Sequence, residues 1–208
     1  MWLKDSSIGR KLIMSISGLF LVLFLTFHLA MNFAAVFSAE AYNAICEFLG
    51  ANWYALVGTL VLVAGFLVHI VYAFILTLQN RKARGENRYE VTARNSKVEW
   101  ASQNMLVLGI IVVLGLLLHL FNFWYNMMFA ELIHDPWFGG LYATDGYGYI
   151  EQTFSNPVYV VLYIVWFVAL GLHLCHGFWS AFQSIGLSNS IWEKRLTWIG
   201  YIFVAIIV

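Results

Sequence analysis

Four long apolar runs dominate the chain: Leu12–Phe37, Tyr54–Leu78, Ala101–Phe129 and Val158–Phe182. A helix crossing the hydrocarbon layer of a bilayer, about 30 Å thick, needs about 20 mostly apolar residues at about 1.5 Å of rise each. Every one of the four meets that length and is predicted as a transmembrane helix. A fifth apolar run starts near Leu196 and continues to Val208. Its thirteen residues are too few to cross alone, so it is expected to be a fifth transmembrane helix cut short by truncation of the chain. The first run outlasts the apolar core of a secretion signal, about 7–15 residues, and reads as a retained span. The expected fold is an all-α integral membrane protein, one transmembrane domain over residues 1–208, with five helices of which the first four form a bundle.

The polar segments between the runs set orientation. Lys4, Arg10 and Lys11 precede the first run, Arg81, Lys82, Arg84, Arg88, Arg94 and Lys97 follow the second, and Lys194 and Arg195 follow the fourth. These are all eleven basic residues. The alternate segments, Ser38–Trp53 and Ala130–Pro157, hold Glu40, Glu47, Glu131, Asp135, Asp145 and Glu151 and no Lys or Arg. The positive-inside rule then puts the N-terminus and the 81–97 segment in the cytoplasm. The chain is predicted as a multi-pass protein of the bacterial inner membrane. Both prolines fall on the outer side, and Asn156-Pro157 reads as the cap and first turn of the fourth span.

Composition agrees: 62% hydrophobic, 18% aromatic and 11% charged residues, against about 25% charged in soluble domains. A net charge of zero argues against nucleic acid as a partner. Two cysteines build no disulfide scaffold, and the chain has no C-x-x-C pair for zinc.

Five of the six histidines, His28, His69, His119, His173 and His176, lie inside predicted spans; His134 does not. Ionisable residues within membrane helices are rare and usually functional. Counted from the basic side, His28 lies 17 residues past Lys11 and His119 lies 19 past Trp100. At about 1.5 Å each, that is about 25–28 Å along the helix. His69 lies 12 residues before Arg81 and His173 lies 10 before Gln183, about 15–18 Å from the same side. Four helices therefore present histidines at two depths, two at each. Facing imidazoles at one depth are what a six-coordinate b haem requires, so His28 with His119 and His69 with His173 point to two haems b, one outer and one inner. His176 shares the face of His173 and competes with it for the inner iron. Depth and a small residue at i+4, Gly177, favour His173, with His176 then a propionate or interhelical partner.

Glycines support the pairing. Gly18 precedes His28 by ten residues and Gly109 precedes His119 by ten, which places each glycine within about 80° of its histidine and nearly three turns below it. There a backbone without Cβ leaves room beside the inner haem. Without C-x-x-C-H there is no thioether attachment, and four histidines at two depths do not make one tetrahedral zinc site.

The stretches SGLFLVLFLTFHLAMN, SAEAYNAICEFL, HIVYAF, LGIIVVLGLLLHLFN and HLCHGFWSAFQSIG, with the order and spacing of their histidines, resemble the cytochrome b anchor of succinate:quinone and quinol:fumarate reductases, five-helix di-haem class. The resemblance runs from about Ile8 to Gly186. It implies that the first and third helices ligate the distal haem and the second and fourth the proximal one, and it maps the fourth-helix ligand onto His173. It also implies two cytoplasmic partners, a flavoprotein carrying FAD and an iron–sulfur protein, and in some relatives a dimer of heterotrimers. Electrons would then reach menaquinone near the outer haem, where Glu47 is the candidate proton-transferring acid. In one respect this chain departs from some relatives. A glutamate two residues before the fourth-helix ligand carries a compensating proton there, and here that position is Gly171. The alternatives are a di-haem b subunit of another complex, of the nitrate reductase gamma or hydrogenase type, and a cofactor-free transporter or channel in which histidines relay protons.

Overall fold

The computed structural model describes residues 6–50, 52–84, 100–135, 137–187 and 189–208. Of the residues used above for orientation, Lys4, Arg88, Arg94, Lys97 and Pro136 lie outside that set. In chain order the elements are α1 (Ser7–Asn32) with a 3₁₀ turn (Phe33–Val36), α2 (Ala39–Phe48) and α3 (Trp53–Arg84). Next come α4 (Trp100–Gln103), α5 (Met105–His119), a π-helical stretch (Leu120–Phe129) and α6 (Ala130–Leu132). A hairpin of β1 (Trp137–Phe138) and β2 (Leu141–Tyr142) precedes α7 (Gly146–Phe154), α8 (Pro157–Ser184) and α9 (Trp192–Ile207).

Among the described residues four helical segments are long and apolar enough to cross a membrane: Ser7–Val36, Trp53–Lys82, Met105–Leu132 and Pro157–Ser184. Their apolar side chains face outward to an extent that water would penalise and lipid accommodates. On α3 alone, Val57, Leu60, Leu67, Val71, Phe74 and Leu78 are each at least half exposed. The fifth apolar run, from Leu196 on, lies in α9, a helix of sixteen residues that begins at Trp192.

Local chemistry explains the boundaries. The Asn156 side chain accepts from Val158 N at 2.9 Å, so the asparagine–proline pair opens α8 as a cap. Asn32 Nδ2 donates to the His28 carbonyl at 2.7 Å, and α1 tightens there into its 3₁₀ turn. The third run is not one regular helix: it breaks at Asn104 and widens to π geometry immediately after His119. Asn126 Nδ2 donates to the carbonyls of both Phe121 and Asn122, at 3.1 and 3.0 Å, and this side-chain competition for backbone acceptors accompanies the wider turn.

The chain divides into two compact units. One comprises Met1–Leu23, Val63–Gly109 and Leu170–Val208. Within it, the Phe20 ring sits where a Cβ on Gly65 would stand, which brings α1 close to the α3 backbone. Helix α9 packs on α8: Phe178 stacks on Phe203 at 5.5 Å, and Gly171 faces Val204 and Val208.

The other unit comprises Phe24–Leu62 and Ile110–Ala169. Here α2 and α7 are tied by Asn43, which donates to Asp145 at 2.8 Å and accepts from Tyr147 N at 2.9 Å. Asp145 in turn caps α7 through Gly148 N at 3.0 Å. Tyr42 donates to Asn32 Oδ1 at 2.8 Å, linking α2 to the end of α1. Gly139 and Gly140, at φ of 66° and 91°, turn the hairpin in the primed geometry that two such residues permit.

Candidate functional site

Four of the five histidines of the apolar helices form two facing pairs, one in each unit. His28 of α1 and His119, the last residue of α5, have ring centroids 5.7 Å apart and planes nearly perpendicular at 89°. His69 of α3 and His173 of α8 stand 6.4 Å apart at 70°. A metal–imidazole bond is about 2 Å long, so two rings on opposite sides of one iron have centroids about 6 Å apart. Both pairs have that spacing. Nδ1 of His119 and Nδ1 of His173 are buried without a hydrogen-bond partner among the described residues. Buried polar atoms are normally satisfied, and each pair keeps one Nδ1 without a partner among the described residues. These features fit the axial ligands of two porphyrin irons. Among the described residues no three His, Cys, Asp or Glu side chains gather into a metal-binding group.

The ring that meets His69 belongs to His173. His176 instead packs edge-on against Trp179 at 5.3 Å. A Cβ on Gly18 would stand 3.3 Å from His69 Cε1, and one on Gly109 would stand 3.9 Å from His173 Cε1. The two glycines therefore back the imidazoles of the pair formed by α3 and α8. A Cβ on Gly177 would meet no described atom within 4 Å, so that position borders open space.

Three aromatic residues that sequence reasoning did not single out surround His119. Trp166 lies 5.6 Å from its ring at 33°, Phe123 at 5.1 Å, and Tyr163, only 2% exposed, at 6.3 Å. The Trp166 indole N–H donates to the Val112 carbonyl at 3.0 Å, and the indole fills the space left by Gly115. Tyr163 OH accepts from buried Asn122 at 3.3 Å. Nothing in the spacing of these residues distinguishes them from ordinary packing aromatics. The pairing of Gly115 with a tryptophan on another helix was the only available cue, and sequence alone does not bring the two together.

Glu47 is exposed on α2. It lines an open cleft of about 430 Å³ with Glu40, Asn43, Tyr142 and Asp145 among its walls. A second cleft, about 330 Å³, is lined by Glu131, His134, Tyr142, Ala143 and Thr144. Nearby, burial and then the carboxylates of Asp145 and Glu131 push the Cys46 thiol up to about 11, outweighing a lowering hydrogen bond with Tyr42. Burial raises the Tyr42 phenol as well. Both stay protonated at neutral pH, and neither cysteine of the chain forms a disulfide.

Comparison with protein-family models, with curated proteins and with solved structures finds no match to this chain.

Proposed function

We propose that this chain is the di-haem cytochrome b membrane anchor of a succinate:quinone or quinol:fumarate reductase, passing electrons between an iron–sulfur subunit and menaquinone. The observation that carries the reading is the pair of facing imidazole couples, each drawn from two different long apolar helices, at 5.7 and 6.4 Å. Two b haems, when bound, supply reversible one-electron transfer through their irons. His28 and His119 hold the outer one and His69 and His173 the inner one, with Gly18, Gly109 and Gly177 giving them room. The Glu47 carboxylate, open to water on α2, exchanges a proton with the quinone oxygen. In this reading five spans, the first four as a bundle, sit in a bacterial inner membrane with the N-terminus cytoplasmic. The flavoprotein and iron–sulfur partners dock on the basic side, and the complex pairs into a dimer of heterotrimers.

The dithionite-reduced absorption spectrum of the purified chain tests the reading. A b-type α-band with two haems per chain, and co-purification with a flavoprotein and an iron–sulfur protein, are expected. Two haems with different partner proteins favour the nitrate reductase or hydrogenase type of subunit, and no haem band at all leaves a histidine-relay transporter.

Gly171 adds a second expectation. It faces the valines of α9 and brings no carboxylate near His173. Electrons moving from a cytoplasmic donor to a quinone protonated from outside then carry uncompensated charge. Succinate:menaquinone turnover in proteoliposomes is expected to change the membrane potential, as read by a voltage-sensitive dye, and electroneutral turnover would contradict this.

A further inference from the structure

The two imidazoles of the α3–α8 pair differ in what their Nδ1 atoms meet. Nδ1 of His173 is buried with no hydrogen-bond partner among the described residues. Nδ1 of His69 lies 3.3 Å from Ser17 Oγ on α1. Ser17 is only 7% exposed, and its own proton goes to the Met14 carbonyl at 3.0 Å, one turn back along the helix. With that proton committed, Ser17 Oγ meets His69 as an acceptor, so Nδ1 carries the hydrogen. A neutral imidazole with its hydrogen on Nδ1 has its free lone pair on Nε2. Gly18, the next residue, permits the approach: even a methyl there would stand 3.3 Å from Cε1 and 3.6 Å from Nδ1.

We infer that Ser17 is a positioning residue for His69, holding the hydrogen on Nδ1 and the ring in one orientation so that Nε2 is free to bind a metal. Its consequence for a haem rests on the function proposed above, whereas the tautomer itself does not. A hydrogen-bond acceptor behind a ligating histidine fixes the ring and raises its basicity, and loss of such a partner typically costs about 10–100-fold in metal affinity. His173 has no such support. The inner pair therefore consists of one pre-oriented ligand and one that is not.

The full-length chain, labelled with nitrogen-15 at histidine, is compared with Ser17→Ala and Ser17→Thr. His69 is expected to show its hydrogen on Nδ1 in the parent protein, with that signal altered in Ser17→Ala and restored in Ser17→Thr. In the haem-loaded protein, the haem that His69→Ala removes is expected to be lost about ten-fold more readily from Ser17→Ala. Its midpoint potential is expected to move upward while the other haem stays unchanged, which also shows that the variant is folded. Unchanged or equally shifted potentials for both haems in Ser17→Ala overturn the inference. If the chain binds no haem, the functional reading fails by itself and the histidine spectra still decide. A hydrogen on Nε2 of His69, or identical signals with and without the Ser17 hydroxyl, refutes the role of Ser17.

Discussion

Replacing His119 with alanine is expected to halve the haem content of the purified protein, and His28→Ala is expected to do the same. In the proposed reading each substitution takes a haem ligand from one couple and leaves the His69–His173 couple, which shares no residue with it, at its 6.4 Å spacing. Axial ligation sets both retention and potential of a b haem, so the haem that stays should keep its own midpoint. His69→Ala and His173→Ala should remove the complementary haem, whereas His176→Ala should keep both, because its ring lies against Trp179 and the ring facing His69 is that of His173. Haem-to-protein ratio and redox titration measure this directly. Equal loss of both haems from every substitution would mean that the couples are not separate sites.

The second large effect is expected from Gly115→Val. A Cβ at that position would occupy the space of the Trp166 indole, at its Cδ1 and Cγ. The indole has little freedom to withdraw, because its N–H is bonded to the Val112 carbonyl at 3.0 Å and its ring lies beside His119. Overpacking costs about 1–3 kcal/mol, and an indole N–H stranded in an apolar interior about 1–3 kcal/mol more. A loss on the order of 3 kcal/mol is expected, with selective loss of the haem held by His119. Gly58→Ala is the control, since a Cβ there meets no described atom within 4 Å. Alanine is the better helix former by about 1 kcal/mol, so that variant should be at least as stable as the parent. Thermal unfolding in detergent followed by near-ultraviolet dichroism separates the two, and equal stability of Gly115→Val and the parent would refute the packing around Trp166.

Much of the architecture was legible before any coordinates. The apolar runs match the four long helices to within a few residues at most ends, and the Asn156-Pro157 pair opens α8 as read. Depth counting grouped His28 with His119 and His69 with His173, and those are the rings that face each other. Other features were not legible. The π stretch after His119 goes with Asn126 reaching two backbone carbonyls, and a polar residue near a helix end does not announce which acceptors it will take. Gly18 and Gly109 were expected beside the inner porphyrin, and a Cβ on either would stand within 4 Å of the imidazole of His69 or His173. The ten-residue spacing identified the right glycines but not what they touch. Ser17, Trp166 and Tyr163 carried no signal at all, because serine and aromatics are common in apolar helices.

The chain by itself determined where the four long apolar helices of the described residues lie and how far along its helix each histidine stands. A helix rises by a constant amount per residue, so position along the axis can be counted. Only the tertiary structure decided which faces meet. These helices are apolar all round, and in lipid an outward leucine costs no more than an inward one, so no stripe in the sequence records the rotation of each helix. That rotation brings Trp166 onto His119, Ser17 behind His69 and His173, rather than His176, opposite His69.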